Sequence, residues 1–307
     1  MGIDDGTMAI VLNKPNVNTK LIFTYLVNFQ MNQNRFVRKL EFIIMILVVA
    51  GCAHNPYSKT NRQYKKQTKV LSKTIRQYPL SSVESDSVNQ PPYFIGTTNF
   101  NLRKPNFVII HHTAENSCEE TLHTFTTIKS QVSAHYVICK DGTIHHMLND
   151  YLRAWQAGVS KWGNLTDINS SSIGIELDNN GFEPFTEPQI NSLLVLLDRL
   201  KKSYSIPTSN FIGHADIAPG RKVDPNVYFP WELLATQGFG LWYDDTTNVN
   251  LPINFNHLEA LRIIGYNMKD TTAAIQSYKL HFAKDTLSRV LNATDDKILY
   301  DLSRKYQ

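Results

Sequence analysis

Only three cysteines stand among 307 residues, too few for a disulfide-built scaffold, so the fold has to rest on a packed apolar core. Long apolar runs are equally scarce. The stretch from Phe42 to Gly51 falls far short of the roughly 20 residues that a membrane-spanning helix needs. An HExxH helix, the usual zinc-peptidase signature, is missing as well. A strong charge of one sign is absent from most of the chain. The net charge is +4, but residues 31–80 hold ten Lys and Arg against Glu41 alone, which is +9, whereas residues 81–307 hold 19 basic and 24 acidic side chains, which is −5. The larger part is mildly acidic, which argues against a nucleic-acid partner. Hydrophobic residues at 42% and charged ones at 19% suit an ordinary globular protein, and the length exceeds one typical domain of roughly 100 to 200 residues.

What is present near the start is an address. Residues 31–52 combine a basic opening (Arg35, Arg38, Lys39), the short apolar run and Val49-Ala50-Gly51-Cys52. The segment reads as a signal peptide, and its last four residues resemble the bacterial lipobox, whose cysteine becomes the lipidated N-terminus after cleavage. A signal peptide should open its own chain, so Met31 is the expected native start and residues 1–52 an upstream extension plus signal. Ala rather than Asp at position 53 resembles the outer-membrane sorting choice of a Gram-negative cell. Residues 53–93 are polar, basic and nearly free of apolar periodicity, and read as a tether.

From about residue 94 to 248 strands and helices alternate. Asn106 to His112, Ala134 to Ile138 and Ser172 to Leu177 have strand character, and Asp141-Gly142 signals a hairpin into Thr143-Ile144-His145. Thr186-Glu187-Pro188-Gln189 matches a capping box that opens an apolar-periodic helix through Tyr204, ahead of Pro207. The class expected is α/β around a mixed central sheet flanked by helices. Residues 249–307 switch to helices only, with Leu258, Leu261 and Ile264 on one face before Gly265, and with Asp270 and Thr294 placed to cap a second and a third helix. A small three-helix domain is expected there.

Three distant segments carry residues suited to a metal: His111-His112, His214, and Asp224 ten residues later. Two imidazoles and a carboxylate leave a fourth tetrahedral position for water, the mark of a catalytic rather than a structural zinc. Successive strand residues face opposite ways, so only one of His111 and His112 can enter such a site.

Phe-Val-Ile-Ile-His-His-Thr-Ala (107–114), Ser-Ile-Gly-Ile-Glu-Leu (172–177) and Gly-His-Ala-Asp-Ile-Ala-Pro-Gly-Arg-Lys-Val-Asp-Pro (213–225) closely resemble the type-2 zinc N-acetylmuramoyl-L-alanine amidases, relatives of phage T7 lysozyme and of peptidoglycan recognition proteins. The lipobox brings the resemblance nearest to the periplasmic lipoprotein members. The resemblance implies that His111, His214 and Asp224 bind Zn2+, that Glu176 is the catalytic carboxylate and that Lys222 is the basic residue beside the metal. It further implies a hydrolase acting on peptidoglycan, at the periplasmic face of the outer membrane, lipid-anchored at Cys52 and monomeric. Residues 249–307 are similar to a three-helix peptidoglycan-binding module. Ala154-Trp155-Gln156-Ala157-Gly158 departs from the family's Trp-His-Ala-Gly at Gln156, which puts in doubt any substrate or proton role of that histidine. His135 is expected in the core or behind the ligands, and Cys118 and Cys139 either pair in an oxidising periplasm or remain buried thiols. The competing readings are a non-catalytic peptidoglycan receptor and a zinc peptidase acting on the stem peptide.

Overall fold

The computed structural model describes residues 55–77, 96–99, 101–102, 104–286 and 288–307. The signal segment, Cys52 and the proposed start at Met31 lie outside the described residues. The chain forms two compact units, Met1–Phe94 and Ile95–Gln307. The described part of the first contains helix α1 (Ser58–Ile75), none of whose residues is buried. The tether reading expected coil here. Leu, Lys, Gln and Arg are all good helix formers, however, and neither Gly nor Pro interrupts the segment. No helix among the described residues is long and apolar enough to cross a membrane.

The second unit is built on five strands: β1 (Phe107–His112), β2 (Tyr136–Ile138), β3 (Ile144–His146), β4 (Ser172–Leu177) and β5 (Phe211–Gly213). Their order is β3-β2-β4-β1-β5. Strands β2, β4, β1 and β5 run parallel, and only the β2–β3 hairpin is antiparallel. β1 and β4 are buried on both faces, which is why they read as continuous apolar runs rather than alternating ones.

Each face of the sheet has its own core. Val108, Ile110, Ile173, Ile175 and Leu177 pack against α3 (Glu187–Tyr204) through Leu193, Leu196 and Leu197. Thr186 caps α3 by accepting from the Gln189 backbone N–H, as the capping signal predicts. The other face, including Ile109 and Ile212, packs against the C-terminal helices α6 (His257–Ile264), α7 (Thr271–Tyr278) and α8 (Ala293–Lys305) through Leu261, Ile264, Ala274 and Leu299. Between these lie α2 (Cys118–Thr126), the one-turn α4 (His214–Ile217) and α5 (Trp231–Thr236).

The helices expected as a separate small domain therefore share a hydrophobic core with the catalytic sheet. Gly265 ends α6 at φ 131°, and a Cβ there would sit 2.5 Å from the Trp162 ring, so this close approach admits only glycine. Asp270 caps α7 through the Ala273 N–H. The third cap is Asn292 rather than Thr294: its side chain accepts from Thr294 and Asp295, and Asp295 returns a bond to the Asn292 N–H. This reciprocal box satisfies more helix-end donors than a lone threonine can.

Candidate active site

The site forms where the parallel strands end. His111 and Glu176 are register partners on the neighbouring strands β1 and β4, so both side chains leave the same face, with the glutamate Oε1 3.9 Å from His111 Nδ1. β5 delivers His214 as the first residue of α4. The chain then loops and returns to place Asp224 beside α4, its carbonyl accepting from the Ala215 N–H at 2.8 Å. His111 Nδ1 lies 3.0 Å from His214 Nδ1 and 2.9 Å from Asp224 Oδ2, and His214 Nδ1 lies 3.0 Å from the same oxygen. All three residues are buried. His112 leaves the opposite face of β1, and it is His111 that meets the other two.

The rest of each imidazole decides what this triangle can hold. His111 Nε2 donates to Gln156 Oε1 at 2.5 Å, and His214 Nε2 donates to the Ala157 carbonyl at 3.2 Å. The Gln156 amide is itself oriented, because its NH2 donates to Ser172 Oγ at 2.8 Å and that hydroxyl donates to the Ile168 carbonyl at 2.7 Å. With each Nε2 carrying its proton, both Nδ1 lone pairs and an anionic oxygen point at one spot. Only a proton or a cation can sit among three acceptors at such distances. Two imidazoles and one carboxylate are the donors of an open, catalytic metal site.

The electrostatics agree. Burial raises the Asp224 carboxyl, but the His111 and His214 imidazoles in contact with it override this and hold the group well below the usual carboxylate range. Burial, helped by the neighbouring His111, pushes His214 down to about 4, so that ring is neutral near pH 7. Burial pushes Glu176 up to about 7, only partly opposed by His111 and Lys222. Its Oε2 has no hydrogen-bond partner among the described residues. A carboxylate that is buried, open on one oxygen and poised near neutrality can exchange a proton.

These residues floor a cleft of about 410 Å³, walled by Glu115, Phe125, Val132, Trp155, Arg221 and Lys222 among others. Lys222 faces it two residues before Asp224, and its charge is felt by both Glu176 and His214. Arg221 ties the loop down by donating to the Ala157 and Val159 carbonyls. α2, which contributes Thr121, Thr124 and Phe125 to the cleft, is joined to the end of β2 by a Cys118–Cys139 disulfide.

Residues 101–227 match the Amidase_2 family, described as N-acetylmuramoyl-L-alanine amidase. The chain is 33% identical over 230 residues to the N-acetylmuramoyl-L-alanine amidase AmiD of Escherichia coli, covering 65% of this chain and 82% of that one. This chain belongs to the N-acetylmuramoyl-L-alanine amidase family. A 44% identical stretch of 103 residues matches the 1,6-anhydro-N-acetylmuramyl-L-alanine amidase AmpD of Haemophilus influenzae, covering 33% of this chain and 56% of that one. Among solved structures, AmiD from E. coli, in complex with the substrate anhydro-N-acetylmuramic acid-L-Ala-D-gamma-Glu-L-Lys, superposes with a TM-score of 0.62 at 30% identity, covering 71% of this chain and 97% of that one. AmpDh3 from Pseudomonas aeruginosa, in complex with anhydromuramic pentapeptide, gives 0.61 at 28% identity, covering 74% and 99%.

Within this amidase, Gln156 has a place that its sequence context did not announce, whereas His135 lies in the core as expected. Gln156 is a buried partner of His111, and no signal in a sequence where the two lie 45 positions apart announces the contact. Gly174 makes room for it, since a Cβ there would lie 2.6 Å from Gln156 Cγ. His135 is fully buried and bridges the core: its Nδ1 accepts from the Gly174 N–H at 3.1 Å and its Nε2 donates to the Leu152 carbonyl at 3.0 Å.

Proposed function

We propose that the protein is a zinc-dependent N-acetylmuramoyl-L-alanine amidase that hydrolyses the amide between the lactyl group of N-acetylmuramic acid and the L-alanine of the stem peptide. The observation that carries this reading is the convergence of His111, His214 and Asp224 within 3.0 Å of one another, directly beside a buried glutamate with a free oxygen. A receptor that only binds the polymer has no use for a complete donor triangle next to an acid–base group.

His111 Nδ1, His214 Nδ1 and Asp224 Oδ2 would hold the ion. When bound, zinc supplies positive charge that acidifies water towards a pKa of roughly 7 and polarises the scissile carbonyl. Glu176 receives the proton of the attacking water on Oε2 and returns it to the alanine nitrogen as the C–N bond breaks. Lys222 faces the carbonyl oxygen as negative charge develops there. Phe125, Val132 and Trp155 give the cleft an apolar rim that excludes bulk water and strengthens these interactions.

The same reading places the mature chain in the periplasm, acylated at Cys52 and held at the outer membrane, as a monomer. Residues 94–248 supply the chemistry, and residues 249–307 contribute contacts to the polymer that raise local substrate concentration. The test is to digest purified peptidoglycan with and without a chelator and to identify the fragments by mass spectrometry. Free stem peptides that begin at L-alanine, lost with the chelator and restored by zinc, are expected. Cleavage inside the stem peptide, or no cleavage with zinc bound, would overturn the assignment.

A further inference from the structure

Helix α1 belongs to the first of the two units, and its surface is sorted. Six Lys and Arg lie within Ser58–Ile75, and no acid. At about 100° per residue, Lys59, Arg62, Lys66, Lys69 and Lys73 recur at intervals of three and four and share one face. Tyr57, Tyr64 and Leu71 recur at intervals of seven, Ile75 follows four later, and together they make an apolar stripe on the opposite side. None of these residues is buried, and Leu71 and Ile75 are 41% and 73% exposed.

Such a helix does not stand well in water alone. An amphipathic helix draws most of its stability from packing its apolar face, which α1 leaves uncovered, and like charges three and four residues apart repel one another. Both costs are relieved by a partner that is anionic and has an apolar layer beneath its charge. A phospholipid surface has both, with headgroups for the lysines and an acyl boundary for the tyrosines and leucine. A soluble anion would cover only the basic face. The placement also fits: α1 begins six residues after Cys52, and six residues reach at most about 20 Å, so acylation of that cysteine keeps the helix at the bilayer.

We propose that α1 lies flat on an anionic phospholipid surface, its basic face on the headgroup phosphates and its Tyr57–Tyr64–Leu71–Ile75 stripe in the acyl boundary. The placement at the bilayer rests on the lipid-anchor reading of Cys52; the affinity for the surface does not. A consequence concerns reach. With α1 held down, the chain between 77 and 94 sets how far the amidase extends, at most about 60 Å, whereas a free chain from 53 to 94 would reach more than twice as far.

The experiment uses the chain from Ala53 to Gln307 with zinc bound, which carries no lipid, and co-sedimentation with phosphatidylcholine vesicles with and without phosphatidylglycerol. Binding at least tenfold tighter to the phosphatidylglycerol vesicles, weakened by salt, is expected. A variant combining K59Q, R62Q, K66Q, K69Q and K73Q should lose that preference while hydrolysing soluble muropeptides at the unaltered rate. L71S with I75S should weaken binding at low salt. Equal binding to both vesicle types overturns the proposal, as does phosphatidylglycerol binding that survives the five substitutions. Sacculus binding that depends on the five cations without any vesicle binding also overturns it and assigns the helix to the wall polymer. The mass of the mature N-terminus reports acylation of Cys52 separately.

Discussion

Gln156 Oε1 accepts the Nε2 proton of His111 at 2.5 Å, and this one contact leaves the lone pair of the histidine's other nitrogen facing His214 and Asp224. The amide cannot flip without breaking its bond to Ser172, so the ring tautomer is fixed from two side chains away. Removing such an outer partner typically weakens metal affinity by about 10- to 100-fold. Gln156→Leu should therefore raise the zinc dissociation constant by that order in a competition with a chromophoric chelator. Gly174→Ala should do the same by displacing Gln156, although it touches no ligand. Unchanged zinc affinity in both variants would show that His111 needs no partner on Nε2.

Glu176→Gln keeps the shape of the cleft and removes the proton acceptor. Zinc stoichiometry should remain near one while the rate of muropeptide hydrolysis falls by about 10²- to 10⁴-fold. Lys222→Met, which removes charge near the developing oxyanion, should lower kcat by about 10²- to 10³-fold with a small change in KM. A Lys222 effect confined to KM would make it a binding residue instead.

His135 predicts a pH dependence of stability. Burial lowers its pKa below the ordinary value near 6.5, only partly offset by its bond to the Leu152 carbonyl. The folded state thus binds this proton less readily than the unfolded chain does. Its contribution is present in full above about pH 6.5 and declines as the pH falls towards the lower folded value. Urea unfolding from pH 7.5 down to 5 should show a loss of stability in the parent that is smaller in His135→Gln. Parallel curves would mean that the acid sensitivity lies elsewhere.

Removing residues 249–307 would expose the face of the sheet that Leu261, Ile264, Ala274 and Leu299 cover. The truncated chain is expected to lose cooperative unfolding, not merely affinity for sacculi. The milder change Leu261→Ala should cost about 2 to 5 kcal/mol in chemical denaturation and leave the zinc ligands untouched. A truncated chain that melts cooperatively with full amidase activity would restore the picture of an independent module.

Reducing the Cys118–Cys139 disulfide releases a 21-residue separation and should cost about 3 kcal/mol of stability. Because α2 walls the cleft, KM for muropeptides should rise on reduction more than zinc affinity changes. Equal unfolding midpoints with and without reductant would make the pairing energetically silent.

Four of the five strands, the α3 cap and the helix stop at Gly265 were legible because each depends on a few adjacent residues. Periodicity, caps and turns act within one or two helical turns, so a linear string holds their full cause. The candidate metal ligands stand out in the sequence for another reason: their flanking residues resemble those of a known family. Helix α1 went unseen because its charged and apolar residues are sorted around an axis while the string shows only a polar run.

By itself, then, the sequence determined the α/β class, the helical end of the chain and the identity of the candidate donors. The tertiary structure decided that Gln156 stands behind His111, and that the C-terminal helices complete the core of the sheet rather than forming one of their own. Those outcomes turn on contacts between residues 45 to more than 100 positions apart, such as His111 with Gln156 and with His214. Nothing local encodes them, because they exist only once parallel strands have brought their ends together and apolar faces have found their cover.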